Sequence, residues 1–312
     1  MIEGRPANSH PNPESPVHPI TAITLACLLA CAALAPAADD DAKPADALAL
    51  KARTAFNARQ YKETIAHADA ALQVDPNHFA ATYYRAVAHD QLKAFDKAIA
   101  GYTKLIALDG ELALSDTVRA DDRRGDCYLK AGRMDRAIAD FDAYLKRKPD
   151  DEPYHWRRGI AFYYAKAYER GVKQFQTHKT VNADDVENSV WHFLCNAKLV
   201  GVEKARAALI PLEGKDARVP MMTVYEMFAG RAEPKDVLAA AGQAQGAAAQ
   251  SESALFYAHL YVGLYHEAMG HADEARRHLV IAATKHTSPF YMGDVARVHV
   301  KLLNEAVKKD AP

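Results

Sequence analysis

The most constraining feature of this sequence is that it repeats. The segment "RRGDCYLKAGRMDRAIADFDAYLKRKPD", residues 123–150, carries Gly125, Tyr128, Gly132, Ala137, Phe141 and Pro149, and the segment after it answers with Gly159, Phe162, Gly171 and Phe175. Gly125 and Gly159 are 34 residues apart, as are Ala137 and Gly171. Upstream, Ala52 and Ala86, and Thr64 and Ala98, keep the same spacing. The step from Ala86 to Gly125 is 39, which puts a five-residue insertion near "DGELALSD". A late copy reads Gly263, Gly270, Ala275, Leu279 and Ala282. A period of this size denotes supersecondary units that each bury an apolar face only by stacking on their neighbours.

The pattern resembles the tetratricopeptide repeat, whose unit is a helix–turn–helix of this length. A small residue on the first helix admits the second helix closely, and another sits where the two cross. Aromatics such as Tyr102, Phe141 and Phe175 fill the gap to the next unit. "DPN" at Asp75 and "KPDDEP" at Lys148 stop the second helices. The expected fold is all-α, a right-handed tetratricopeptide-repeat superhelical solenoid. Copies are expected at 45–78, 79–112, 118–151, 152–185 and 256–289. Four repeats thus fill 45–185, degenerate helical repeats 186–255, and a final repeat 256–312. In that final repeat "YMGDVARVHVKLLNEAVKK" forms an amphipathic C-terminal capping helix.

The N-terminus obeys other rules. "ITAITLACLLACAAL" is a short apolar block followed by Ala35-Pro36-Ala37, the length and small-residue ending of a secretory signal. Residues 1–37 are therefore read as a targeting segment and 38–44 as a linker, with export to the periplasm or an outer-membrane-associated place. "LLAC" resembles a lipobox, in which Cys31 would be acylated; cleavage after Ala37 is the alternative. A chain cut after Ala37 keeps Cys127 and Cys195, and spacing alone leaves open whether they are bridged. Past residue 40 no apolar run is long enough to span a bilayer.

The runs "WRRGIAFYYAKAYERGVKQF", "VENSVWHFLCNAK" and "FYAHLYVGLYHEAMGHADEARRHLVIA", separated by a divergent stretch, resemble the bacterial NlpI-type repeat lipoproteins over about residues 150–300. That resemblance implies an outer-membrane adaptor that delivers peptidoglycan hydrolases or other substrates to an envelope protease. It supplies a role and a place, and no contact residue.

Other chemistry finds little support. A net charge of −1 lacks the basic excess of a nucleic-acid binder. His259 and His266, like His271 and His278, recur at helical spacing, but no CxxC or HExxH accompanies them, so no metal and no cofactor are expected. There is no GxSxG elbow or phosphate loop. His192 and Cys195 share a helix face, yet Cys195 falls in the slot of Cys127 and Ala161, a place for small buried side chains. His192 falls in the slot of Arg124 and Arg158, which read, with Arg85, as contacts between repeats. The chain is expected not to be an enzyme.

What remains is a groove. First helices line the concave face of such a solenoid, and in the fourth copy the inward positions are Trp156, Ile160, Tyr163 and Tyr164. Aromatic side chains there suit the docking of a protein or peptide segment; packing against a neighbouring repeat or a C-terminal helix is the alternative. The third copy offers Arg119, Asp122, Asp126 and Lys130 at its inward positions, with Arg119 and Lys130 favouring acidic flanks. Ala49 and Tyr84 occupy slots where a carboxylate clamp would need lysine and asparagine. The leading function is thus a non-catalytic scaffold in the bacterial envelope. A structural homo-oligomer, joined through Met221, Met222, Tyr225 and Phe228, is the second reading, and a histidine-dependent metalloenzyme the third.

Overall fold

The computed structural model describes residues 43–244 and 248–310. The targeting segment and Cys31 lie outside the described residues, as does most of the 38–44 linker. Every described element is helical, and the chain is an all-α tetratricopeptide-repeat solenoid.

Helices α1 (Pro44–Asn57) and α2 (Tyr61–Val74) form the first hairpin, α3 (Phe79–Gln91) and α4 (Phe95–Leu108) the second. A short α5 (Gly110–Ala113) precedes α6 (Ala120–Lys130) and α7 (Met134–Arg147). After a 3-10 turn at Pro149–Tyr154 come α8 (Trp156–Tyr164) and α9 (Tyr168–Lys179). The divergent part holds α10 (Val186–Val200), α11 (Val202–Ala207), α12 (Met221–Phe228) and α13 (Pro234–Gly242). The last hairpin is α14 (Ala248–Ala268) with α15 (Ala272–Thr284), and α16 (Tyr291–Asp310) ends the described chain.

One backbone device closes these hairpins. The middle residue of each three-residue turn is left-handed: Arg59 (φ 58°), Lys93 (φ 58°), Gly132 (φ 82°), Lys166 (φ 59°) and Gly270 (φ 82°). Helices commonly end on such a residue because it lets the backbone N–H groups beyond the helix bond to its last carbonyls. Here the amides of Gly132 and Arg133 bond to the carbonyls of Leu129 and Tyr128, at 2.8 Å each.

Within a hairpin, close approach depends on missing side-chain bulk. A Cβ on Gly159 would stand 2.6 Å from the Phe175 ring, and one on Gly171 would stand 2.6 Å from Cys195 Sγ. Cys195 therefore packs as a small hydrophobe against the preceding unit, and both Cys127 and Cys195 are buried free thiols.

The core changes character along the chain. Its N-terminal part is alanine-rich, built on Ala49, Ala52, Ala68, Ala71 and Ala81. The C-terminal part centres on α10, whose residues from Val186 to Cys195 are all buried. Phe193, bulky where other copies are small, meets Phe228 edge-on with centroids 5.1 Å apart. The divergent region spends its apolar side chains in this way. Met221 and Phe228 are wholly enclosed within the chain and Met222 and Tyr225 half-buried, so the four do not form an exposed self-association face.

Arg85, Arg124 and Arg158 act as clasps. Arg85 reaches Asp69 on the preceding hairpin at 2.9 Å. Arg124 forks onto both oxygens of Asp140 at 2.7 and 2.8 Å and bonds to Thr103 of the preceding hairpin at 3.1 Å. Arg158 joins Asp142 at 2.7 Å to Gln174 at 3.1 Å. Planar guanidinium forks suit this bridging of two helices.

Candidate functional site

The first-helix face of the second to fourth hairpins is lined by α3, α6 and α8, and the residues expected to project from it do so together. The face is occupied: α16 returns from the far end of the chain and lies across it. Trp156 is half-buried, with the Tyr291 ring edge-on at 4.9 Å. Ile160 is enclosed. Tyr163 is buried, stands edge-on to Trp191 at 5.4 Å, and donates to Glu267 at 3.2 Å. The Tyr164 hydroxyl shares a 3.1 Å hydrogen bond with His299 Nδ1. Packing against a neighbouring unit or a C-terminal helix, the alternative drawn from the sequence, describes these aromatics: Tyr163 meets α10 and α14, and Trp156 and Tyr164 meet α16.

The polar positions are also engaged. Asp122 is a hub: Arg157 at 3.0 Å, His155 at 2.9 Å and Arg119 at 3.1 Å all converge on it. Burial by itself would raise its carboxyl, but Arg157, His155 and Arg119 outweigh burial and hold it well below the usual range. Arg119 also lies over the Tyr144 ring at 4.3 Å. Asp126 takes Arg157 at 2.7 Å and the Tyr291 hydroxyl at 3.1 Å. Lys130 bonds to Asp90 at 3.1 Å, and these two acids keep it protonated despite its burial. Arg157, beside the clasp Arg158, is the residue the repeat pattern did not single out; it ties two of the four polar positions together.

Helix α16 adds charge contacts of its own. Asp294 pairs with Lys93 at 3.1 Å, and Lys301 donates to the Ala131 carbonyl at 2.9 Å. His299 lies 2.7 Å from Glu267. Burial would raise Glu267, but His299 and Lys198 bring it down to about 2. Near the C-terminal end of this contact is a cleft lined by Lys93, Lys97, Lys130, Arg133 and Lys301, with Asp96 paired to Arg133.

Beneath the first turn of α16 is a largely apolar cleft between Trp156, Ile160, Phe175, Tyr291 and Met292, with about 20 Å³ of free space. Its far wall holds Asn188, Trp191 and Tyr257, together with Asp185 and Glu187. Arg218 bonds to Glu187 at 2.6 Å, Asp185 at 3.0 Å and Asp216 at 2.6 Å. One guanidinium among three buried carboxylates leaves Glu187 the weakest acid. Burial, with Asp185 adding, lifts it to about 7 against the pull of Arg218 and the Tyr261 hydroxyl.

The thiol and imidazole of Cys195 and His192 are both buried. Burial lowers His192 to about 4 and pushes the Cys195 thiol far up, so both are neutral near pH 7. Asn196 Nδ2 stands 3.2 Å from the His192 ring. Among the described residues no group of three or more His, Cys, Asp or Glu is placed to hold a metal ion. Among the same residues no helix is long and apolar enough to cross a membrane.

The tetratricopeptide-repeat family model matches residues 49–113, 106–152 and 123–180. No curated protein matches the chain. A tetratricopeptide repeat protein from Parabacteroides merdae is 14% identical, with a TM-score of 0.51 over 83% of this chain and 98% of that one. MamA from Desulfovibrio magneticus is 15% identical over 53% of this chain and 91% of that one, with a TM-score of 0.47. PilF of Pseudomonas aeruginosa is 15% identical over 81% of this chain and 97% of that one, with a TM-score of 0.41. The chain carries tetratricopeptide repeats, and proteins built of such repeats generally mediate protein–protein interactions.

Proposed function

We propose that this chain is an exported, non-catalytic adaptor of the bacterial envelope that binds segments of partner proteins along its first-helix groove. The observation that carries the reading is the seating of α16: a groove whose aromatics and charges already hold one amphipathic helix is fitted to hold another. Tyr291 on Trp156 and Asp126, and Asp294 on Lys93, are the contacts such a segment would copy. Export rests on the apolar block and small residues before position 38. The adaptor role, with envelope hydrolases or a protease as partners, rests on the likeness to NlpI-type lipoproteins. Arg119 and Lys130 already have acidic partners in the chain, as Arg133 has in Asp96, so a preference for acidic flanks falls to Lys97 in the cleft beside them.

A single short segment in such a groove binds near micromolar, about −8 kcal/mol. The test is site-specific photo-crosslinking in cells. A photoreactive amino acid in place of Trp156 is expected to capture envelope proteins, whereas the same group in place of the exposed Lys146 on α7 is not. Capture at position 146 with none at position 156 would remove the groove from the mechanism.

A further inference from the structure

The cleft under α16 contains a concentration of unmet hydrogen bonds. Asn188 donates its Nδ2 to the Phe175 carbonyl at 3.0 Å, which leaves its Oδ1 as a bare acceptor. Trp191 Nε1 is a donor, and the Tyr257 hydroxyl can act either way; neither has a partner among the described residues. All three side chains are almost wholly enclosed, Asn188 at 3% and the other two at 1% exposure. Groups buried like this are nearly always satisfied, and leaving them unmet is costly. Of the residues that α16 presents to the cleft, Tyr291 spends its hydroxyl on Asp126, and Met292 has a thioether that offers at most a weak acceptor and no donor. Helix α16 therefore fills the groove without completing it.

The missing group can be described chemically. A group that serves both must accept from Trp191 and donate to Asn188. A carboxylate only accepts, and Asp185 and Glu187 on the same wall repel it. An ammonium only donates. A hydroxyl and a side-chain amide each do both and stay neutral on desolvation, and the amide of glutamine brings its donor and acceptor on an apolar stem about as long as that of Met292. The occupant seen in the groove is a helix with its first turn over the cleft, so the amide belongs to a helix.

We propose that this cleft is the specificity pocket of the groove, and that it takes the side-chain amide of a glutamine on a partner's amphipathic helix, which binds in place of α16. The proposal rests on the groove reading above. The partner helix presents an aromatic residue to Trp156 and Asp126, a glutamine at the next position, and an acid two residues later facing Lys93. Helix α16 is then a resident competitor that a better-matched helix displaces.

Two peptides test this: residues 287–310 of this chain, and the same peptide carrying Met292→Gln. Both are titrated, fluorescently labelled, into the full chain bearing Asp294→Lys, which loosens α16 by removing its pair with Lys93. The glutamine peptide is expected to bind about 10-fold more tightly, the yield of one or two buried hydrogen bonds. Adding Trp191→Phe to the protein should cut that advantage to less than about twofold while leaving the parent peptide's affinity nearly unchanged. Equal binding of the two peptides, the outcome if the cleft holds only ordered water, overturns the pocket and leaves the groove intact. Failure of both peptides to bind overturns the groove reading itself. A second measurement needs no loosened protein: Met292→Gln within the intact chain is expected to raise its Tm, and a lowered Tm counts against the proposal.

Discussion

The ring of Tyr291 stands edge-on to the ring of Trp156, centroids 4.9 Å apart and planes at 83°. The Tyr291 hydroxyl continues past that ring to Asp126, one hairpin earlier. One side chain thus fastens the first turn of α16 to two successive repeats, and whatever replaces α16 has to break or copy that fastening.

Replacing Tyr291 with alanine removes the aromatic contact, worth about 1 kcal/mol, and a hydrogen bond to a charged acceptor, worth about 1.5–3 kcal/mol. Hydrogen exchange should read this as faster exchange along α16 by more than about tenfold, with α6 and α7 unaffected, because the opening is local. Tyr291→Phe keeps the ring and should show only part of the effect. Acceleration spread evenly over all hairpins would mean that α16 is not a separable unit.

The hairpin interior predicts a different response. A Cβ on Gly159 would sit 2.6 Å from a Phe175 ring that is itself 1% exposed and has no room to retreat. Gly159→Val should lower stability by about 1–3 kcal/mol through overpacking, more than offsetting the helix propensity it gains. Gly242 has nothing within 4 Å of its would-be Cβ, so Gly242→Ala serves as the control. Urea midpoints measure both, and a neutral Gly159→Val would show that the close approach is not needed.

These two cases mark what the sequence could and could not tell. Small residues such as Gly125, Gly159 and Gly171 are legible because close packing excludes anything larger, and their recurrence gives the fold. The hairpin turns were legible at Gly132 and Gly270 only, since Arg59, Lys93 and Lys166 adopt the same left-handed backbone without a glycine to announce it. Periodicity also says which face Trp156 and Tyr163 share. It does not say what covers that face, because Asp126 meets Tyr291 through a contact with no period at all. Arg157 was obscured by its neighbour Arg158, whose slot holds arginine in three copies (Arg85, Arg124, Arg158), while that of Arg157 holds it in two (Arg123, Arg157). In the divergent stretch, Met221 and Phe228 looked like a surface because no repeat register showed them an inside.

The last hairpin carries the final prediction. Histidines seven apart on α14 (His259, His266) face His271, the N-cap residue of α15, and His278 on that helix. The Nδ1 atoms of His259 and His278 are 2.9 Å apart, those of His266 and His271 are 3.2 Å apart, and the His286 ring stacks on His259 at 5.5 Å. Burial first, then His278, His286, Lys285 and Arg277, lower His259 from 6.5 to about 4. Burial, Arg277 and His266 bring His278 to about 4 as well, with Glu274 opposing. Glu252, which meets His286 at 3.0 Å, is the other acid on this face. The unfolded chain therefore binds protons here that the folded chain refuses, so this contribution is fully present above about pH 6.5 and is lost as pH falls toward 4. Glu187, raised from 4.5 to about 7, works in the opposite sense: the folded chain holds a proton there that the unfolded chain lacks, and stability gains as pH falls. Two histidines outweigh one carboxyl, so the urea midpoint of the wild type should fall between pH 7.5 and pH 5. In His259→Gln/His278→Gln the fall should become shallower, with His192, also lowered to about 4 by burial, still opposing Glu187. Hydrogen exchange at pH 5 should locate the wild-type loss in α14 and α15. An unchanged pH slope in the double variant would transfer the acid sensitivity away from this hairpin.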